Sequence, residues 1–273
     1  MPLQTSGIVI KNVKIKSQYF LLEIYCPPIA TQIKPGQFIM LKVSDNPSPL
    51  LRRPFSVYKS FSAHDAEITK RGRLLILYKK VGKGTQKMTE FKRGQEVELI
   101  GPLGNTFILP PASRSGNIFL IGGGVGIVSL YPLAEKLKTR KLSVFIGGRT
   151  RNDILCTGDF KNLNSTLFIA TEDGSTGFKG TVIDLFLSQE KKWDIPEPSH
   201  LYTCGPTPML QELGKVLKSK GIPCQASLEA RMACGFGACW GCVVKTNDPN
   251  LPYQRVCKEG PVFHLEEIVW ESR

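Results

Sequence analysis

A chain of 273 residues, 41% hydrophobic and 22% charged, has room for two or three domains and lacks the bias of a disordered or fibrous protein. Its net charge of +13 is uneven, with 17 Lys+Arg against 7 Asp+Glu in residues 1–110 and 19 against 16 beyond. The basic residues from Lys70 to Arg93 are not interleaved with exposed-looking aromatics and no nucleic-acid motif accompanies them, so anionic cofactors or an acidic partner surface explain the charge at least as well as nucleic acid does.

Met1–Ser6 is short and polar, unlike a secretory signal. The longest apolar run, Ile118 to Ala134, holds four glycines and makes a poor membrane span. Eight cysteines in a chain this long do not read as a disulfide framework, and a reducing cytoplasm is the natural setting.

Short alternating or apolar runs recur at 7–15, 19–25, 38–43, 53–58, 72–78 and 96–100, separated by turn residues such as Lys34-Pro35-Gly36 and Lys92-Arg93-Gly94. Six such strands predict a small antiparallel β-barrel over residues 1–112, with one helix at 85–91. Within it, Arg53-Pro54-Phe55-Ser56 puts an arginine, an aromatic and a hydroxyl on adjoining strand positions. That set suits a flavin, with Arg53 at the pyrophosphate and Ser56 at the polar ring edge, and equally an ordinary proline-bearing edge strand. Gly82-Lys83-Gly84-Thr85 reads as a glycine-flanked helix start with Thr85 as N-cap, either an anion site or a simple capped turn. Gly101-Pro102-Leu103-Gly104-Asn105 reads as a turn between strands.

Pro110-Pro111-Ala112-Ser113 marks a linker. From 113 to 226, strands at 118–121, 142–146, 166–170, 200–204 and 223–226 alternate with helices at 129–138, 180–189 and 208–219. This is the pattern of an α/β, doubly wound parallel sheet, whose ligand crevice lies at the strands' carboxyl ends. Three loops fall there. Gly122-Gly123-Gly124-Val125-Gly126 follows a strand and opens a helix, as phosphate cradling requires, although it is not G-x-G-x-x-G. The others are Thr171-Glu172-Asp173-Gly174-Ser175 and Cys204-Gly205-Pro206. Cys204 is read either as a group beside a nicotinamide or as a buried apolar thiol. Arg149 and Arg151 would suit a 2′-phosphate, but Glu172 and Asp173 would repel one and bind a free ribose hydroxyl, which favours NAD over NADP.

The most specific stretch lies in residues 227–273. Cys234, Cys239 and Cys242 are spaced C-x4-C-x2-C, and Cys257 follows after a hairpin. Four thiolates so placed suit a [2Fe–2S] cluster of the plant-ferredoxin spacing class. Gly235, Gly237 and Gly241 would let the loop wrap the cluster with positive φ and aim amides at sulfur. Structural zinc, which more usually takes two separated C-x2-C pairs, is the alternative.

Arg-Pro-Phe-Ser at 53–56, Gly-Thr at 84–85, the glycine run at 122–126 and Cys-Gly-Pro at 204–206 come in the order of the ferredoxin–NADP reductase superfamily. The segment Leu-Glu-Ala-Arg-Met-Ala-Cys-Gly-Phe-Gly-Ala-Cys at 228–239, with Arg-Val-Cys-Lys-Glu-Gly-Pro-Val-Phe at 255–263, resembles the electron-transfer subunits of type B dihydroorotate dehydrogenase. The resemblance covers essentially the whole chain. It implies an FAD barrel, an NAD domain and a [2Fe–2S] appendix, with Arg53, Pro54, Phe55, Ser56, Leu77, Tyr78 and Lys79 holding FAD and Gly84 and Thr85 its pyrophosphate. Cys234, Cys239, Cys242 and Cys257 would be the cluster ligands. It further implies an FMN-containing catalytic partner subunit, two of each chain in a heterotetramer, and electrons passing from dihydroorotate through the cluster and FAD to NAD+ for pyrimidine (UMP) synthesis. No residue of this chain is expected to act as a general acid or base. A related FAD/[2Fe–2S] diaphorase subunit, of the ferredoxin:NADP oxidoreductase, sulfide dehydrogenase or sulfite reductase type, is the competing expectation.

Overall fold

The computed structural model describes residues 2–62, 65, 68–111, 116–190 and 200–270. Residues 112 and 113, where the linker and the first boundary were expected, lie outside them.

The first unit is a seven-stranded antiparallel sheet. β1 (Leu3–Lys16) and β2 (Tyr19–Tyr25) form a hairpin, and one turn of helix, α1 (Pro27–Ala30), leads to β3 (Phe38–Leu41). β4 (Arg53–Ser56), β5 (Lys59–Phe61), β6 (Arg73–Lys79), α2 (Lys83–Met88) and β7 (Glu96–Leu103) complete it, in the order β4-β3-β7-β1-β2-β6-β5. Only Val57 and Tyr58 separate β4 from β5, yet these strands are the two edges of the sheet. The sheet must therefore curl until its edges meet, which is how a barrel manages its unpaired edges. Alternation along β1, β2 and β6 puts Val9, Leu22, Ile24, Leu74 and Ile76 into the enclosed core.

Two local expectations are corrected. The turn expected at 101–105 is mostly strand: β7 runs on to Leu103, because Leu3 and Phe38 continue to pair with Gly101 and Leu103, and the chain turns at Gly104 (φ 76°). The helix expected at 85–91 is six residues beginning at Lys83. Its N-cap is Gly82, and Thr85 sits three positions inside.

The second unit starts with β8 (Ile118–Gly123) and α3 (Ile127–Lys136), followed by β9 (Leu142–Gly148), the short α4 (Thr157–Lys161), β10 (Thr166–Thr171) and the two-residue β11 (Phe178–Lys179). It continues with α5 (Val182–Glu190), β12 (His200–Cys204), α6 (Thr207–Lys220) and β13 (Cys224–Ser227). These strands pair in parallel as β11-β10-β9-β8-β12-β13. The chain reverses direction across the sheet between β8 and β12, so the crevice opens beyond their carboxyl ends. β8 is buried along its length, as a central parallel strand should be.

After β13 the chain forms the cysteine loop, the hairpin of β14 (Val243–Lys245) and β15 (Tyr253–Arg255), and β16 (Val262–His264). β16 pairs antiparallel with β13 and so becomes the last strand of the second sheet. The C-terminal segment thus shares hydrogen bonds with the α/β unit on both sides of its cysteines. One buried cluster joins Phe38, Met40 and Leu103 of the barrel to Cys242, Val256 and Cys257, and another joins Tyr58 and Leu77 to Ile127 and Tyr202. No described helix is long and apolar enough to cross a membrane.

Candidate electron-transfer site

The barrel's contribution begins at β4. Arg53, Pro54, Phe55 and Ser56 line a cavity of about 380 Å³ together with Leu77, Tyr78 and Lys79 from the end of β6 and Thr85 from α2. The α/β unit closes the cavity with Val125, Ser129 and Cys204, and the C-terminal segment with Ser227–Ala230, Met232 and Pro261. Gly84 has a steric role: an added Cβ would lie 2.9 Å from Arg53 Nε and 3.2 Å from its Cγ, so the glycine lets the arginine side chain pass close to the helix start. Thr85 Oγ1 accepts from the amides of Val81 and Gly82 at 2.9 and 3.1 Å, closing the turn from inside. Tyr78 packs its ring between Phe20 and Phe55, and its hydroxyl donates to Asn12 Oδ1 at 3.2 Å. Burial pushes that hydroxyl up to about 12.

A second cavity, of about 500 Å³, lies at the carboxyl ends of β8 and β12. Gly123, Gly124, Gly126, Gly205 and Pro206 line it. Gly122 does not; it is buried under Ile127, where an added Cβ would lie 2.5 Å from Ile127 Cδ1. At Gly126 a Cβ would stand 2.6 Å from the Cys204 carbonyl oxygen, so the two strand-end loops meet only because this residue has no side chain. Arg149 and Glu172 both reach the lining. Asp173 lies outside it: its Oδ1 accepts from the Ser175 amide at 2.9 Å, and the Ser175 hydrogen bonds hold its carboxyl below the usual range. Arg151 is also outside, its amide donating to Ser175 Oγ at 2.7 Å.

The two cavities share a wall made by Lys79, Val81, Val125, Gly126 and Glu229. Glu229 is accessible from both, yet protein crowds it on the remaining sides, and this desolvation raises its carboxyl. Cys204 lines the first cavity and is buried, with its thiol pushed up to about 12 by burial, then by the charge of Glu229. It therefore borders the first cavity as a buried apolar thiol and does not line the second.

Sequence reasoning missed two clamps that lock the units together. Tyr19 donates to Asp153 Oδ1 at 2.6 Å, and Lys79 Nζ lies 3.1 Å from the same oxygen. Tyr58 donates to Asp159, whose other oxygen lies 2.5 Å from Lys59 Nζ. Burial opposes ionisation of Asp153, but the Tyr19 and Lys79 hydrogen bonds prevail and lower its pKa. These partners are separated by 74 to 134 positions, so no local spacing announces them.

The cysteine loop is held by left-handed backbone at Gly235 (φ 81°) and Gly237 (φ 91°). Gly241, expected to do the same, does not; Trp240 takes the left-handed conformation instead (φ 57°). Its ring is braced by the Arg255 guanidinium, 4.2 Å from the ring centroid, while Arg255 also donates to the Gly237 carbonyl at 2.6 Å. Gly235 is pressed against the barrel, where an added Cβ would lie 2.3 Å from Met40 Cγ.

Cys234 stands beside Cys239, and Cys257 beside Cys242. Among the described residues no three His, Cys, Asp or Glu side chains are grouped as for a single metal ion. Two thiol pairs are the donor set that two irons would share, so the residues fit a [2Fe–2S] cluster better than one zinc. The amides fit as well. Burial opposes ionisation of Cys234, but hydrogen bonds from the amides of Cys239, Phe236 and Ala238 bring its thiol down to about 6, and the Gly241 amide donates to Cys239 Sγ at 3.4 Å. Cys257 and Cys242 are buried, and Cys239 is exposed.

Comparison with known proteins bears on this arrangement. Residues 229–269 match the iron–sulfur cluster binding domain of dihydroorotate dehydrogenase B, and residues 120–215 match an oxidoreductase NAD-binding domain. The dihydroorotate dehydrogenase B (NAD(+)) electron transfer subunit of Desulforamulus reducens is 37% identical over 92% of this chain and 93% of its own length. The chain belongs to the family of dihydroorotate dehydrogenase B electron-transfer subunits. The family member from Geobacillus thermodenitrificans is 38% identical over 88% of this chain and 89% of its own.

Among solved structures, an NADH-dependent reduced ferredoxin-NADP oxidoreductase superposes with a TM-score of 0.81 at 29% identity, covering 97% of this chain and 90% of that one. The cytochrome b5 reductase domain of Ulva prolifera nitrate reductase, at 17% identity and a TM-score of 0.65 over 81% of this chain and 94% of its own, shares the fold. This member of the family is therefore an oxidoreductase component with the ferredoxin–NADP reductase architecture and cofactor set of FAD, [2Fe–2S] and NAD. All four cysteines of the loop fall inside the cluster-domain match.

Proposed function

We propose that this subunit takes electrons from the FMN of a dihydroorotate-oxidising catalytic subunit and delivers them, by way of its cluster and FAD, to NAD+ in pyrimidine (UMP) synthesis. The observation that carries this reading is the alignment of three adjoining sites. The cluster segment supplies Met232 and Pro261 to the wall of the first cavity and presses Gly235 on the barrel, and the first cavity shares its other wall with the second. The higher identity to dihydroorotate dehydrogenase B subunits than to the ferredoxin-NADP oxidoreductase favours this partner over the competing diaphorases.

Bound FAD, NAD and cluster supply the one-electron and hydride chemistry. The protein holds them in register. Arg53 and Thr85, with Gly84, would face the FAD pyrophosphate, Ser56 the polar ring edge, and Tyr78 the aromatic surroundings. Gly123, Gly124, Gly126 and Gly205 would let the NAD phosphates approach the backbone, with Glu172 rather than Asp173 reaching the ribose. Cys234, Cys239, Cys242 and Cys257 would ligate the irons. Packing of the two cavities against each other orients the reacting rings, so no general acid or base is assigned. A heterotetramer of two chains each and a cytoplasmic setting complete the proposal.

The test is an anaerobic visible spectrum of the complex from its native host, before and after dihydroorotate, with NADH as internal control. Bleaching of flavin and cluster bands by both is the expected result. Bleaching by NADH alone would assign the partner a different chemistry.

A further inference from the structure

Arg255 ends β15 just before Cys257, and the separate parts of the cysteine loop converge on it. Its Nη1 donates at 2.6 Å to the carbonyl of Gly237, which lies between Cys234 and Cys239 in the chain. The ring of Trp240, between Cys239 and Cys242, covers the guanidinium at 4.2 Å. The Arg255 carbonyl accepts from the amides of Lys258, Glu259 and Gly260 at 3.1, 3.0 and 3.2 Å, which closes the turn that carries Cys257. Glu259 completes the set. Its Oε2 accepts from the Arg255 amide at 2.8 Å and from Nε at 3.0 Å, and its Oε1 accepts from Nη2, so the two side chains form a bidentate pair.

The charges of this pair act in different places. The guanidinium is within electrostatic reach of Cys257 and Cys242, while the Glu259 carboxylate acts chiefly on Arg255 itself. Both cysteines are buried and only 13% of the Arg255 side chain is exposed, so less of the interaction is lost to water than at an open surface. Lys258, the next cation along the turn, is exposed and more fully screened. A cluster held by four thiolates is anionic and gains a further negative charge on reduction, so a fixed cation beside its ligands favours the reduced form. We propose that Arg255 is a positioning residue that also sets the cluster's reduction potential, wrapping the loop and holding beside Cys242 and Cys257 a positive charge that Glu259 partly cancels. The proposal rests on the assignment of the four cysteines as cluster ligands.

The test is an anaerobic potentiometric titration of the intact complex, following the electron paramagnetic resonance signal of the reduced cluster. Arg255→Gln is expected to lower the midpoint by about fivefold in the reduction equilibrium, or ~40 mV at about 59 mV per tenfold for one electron. Glu259→Gln should raise it by about twofold, because the cation is then no longer offset. Arg255→Lys should recover most of the loss, and Lys258→Gln should move the midpoint less than Arg255→Gln does. A brace without an electrostatic role would loosen the loop whichever partner is lost, so opposite signs for the two pair variants decide the matter. Shifts of one sign, no shift in either variant, or an equal shift from Lys258→Gln would overturn the proposal. If Arg255→Gln does not retain the cluster, Glu259→Gln alone must still raise the potential, or the proposal fails. A wild-type complex without a [2Fe–2S] signal, or a Cys257→Ser complex with an unaltered one, would overturn the ligand assignment and the proposal with it.

Discussion

Gly235 shows how one residue ties the cluster loop to the flavin-side barrel. It has φ 81° and no room for a Cβ against Met40, which is itself fully buried and paired with Pro54 in the strand beside it. Gly235→Ala is expected to cost about 1–2 kcal/mol for the left-handed backbone and a further 1–3 kcal/mol for the overpacked contact. Urea unfolding followed at the cluster absorption would show it, and Gly82→Ala, where nothing lies within 4 Å, should shift the midpoint far less. At the other end of the loop, Cys257→Ser should weaken the cluster and interrupt dihydroorotate-to-NAD+ transfer while NADH still bleaches the flavin. Full turnover in that variant would remove the cluster from the electron route.

At the scale of elements, the return of the chain in β16 matters most. It pairs with β13, and Asn105 at the end of the barrel grips the backbone just before and within it. The cysteine loop is therefore held at both ends by the sheet that bears the second cavity, and from the side by the barrel. Asn105→Ala removes three short hydrogen bonds and leaves their partners part-buried. A loss of about 2–3 kcal/mol is expected, readable as a lower urea midpoint with an unchanged slope. A drop of less than about 0.5 kcal/mol would mean that β16 alone positions the loop.

Over the whole molecule, function depends on how the barrel is set against the α/β unit, and the Tyr19–Asp153–Lys79 and Tyr58–Asp159–Lys59 clamps fix that setting. The folded pKa of Asp153 lies below its unfolded value, so its contribution is present above about pH 4 and fades as pH falls through the folded pKa. Tyr19 is held protonated, by burial first and then by Asp153, so its donor persists through alkaline pH. The stability gap between wild type and Asp153→Asn should thus be constant from about pH 5 to 9 and close in acid. Because Lys79 also borders both nucleotide cavities, the same variant should slow flavin reduction by NADH in stopped flow without altering the cluster spectrum.

Much of this molecule was legible from the chain. Strand alternation gave the curled sheet, the βα alternation gave the doubly wound order, and cysteine spacing marked the C-terminal iron–sulfur domain, because each depends on neighbours within a few residues. Thr85 was misread as an N-cap because a glycine can occupy that position with no side-chain signal, leaving the threonine to reach back from inside the helix. Asp173 was singled out and Glu172 shared its argument; only the turn hydrogen bonds to Ser175 decide which carboxylate faces the cavity. Gly122 belongs to the same glycine run as its neighbours, yet Ile127 packs over it. The shared wall at Glu229, the clamps at Asp153 and Asp159 and the seat of Gly235 on Met40 join residues from different units. The sequence by itself determined the local elements and the spacing of the four C-terminal cysteines. Only the tertiary structure decided which of those groups share a cavity, because contacts across units are fixed by packing and sheet order rather than by spacing along the chain.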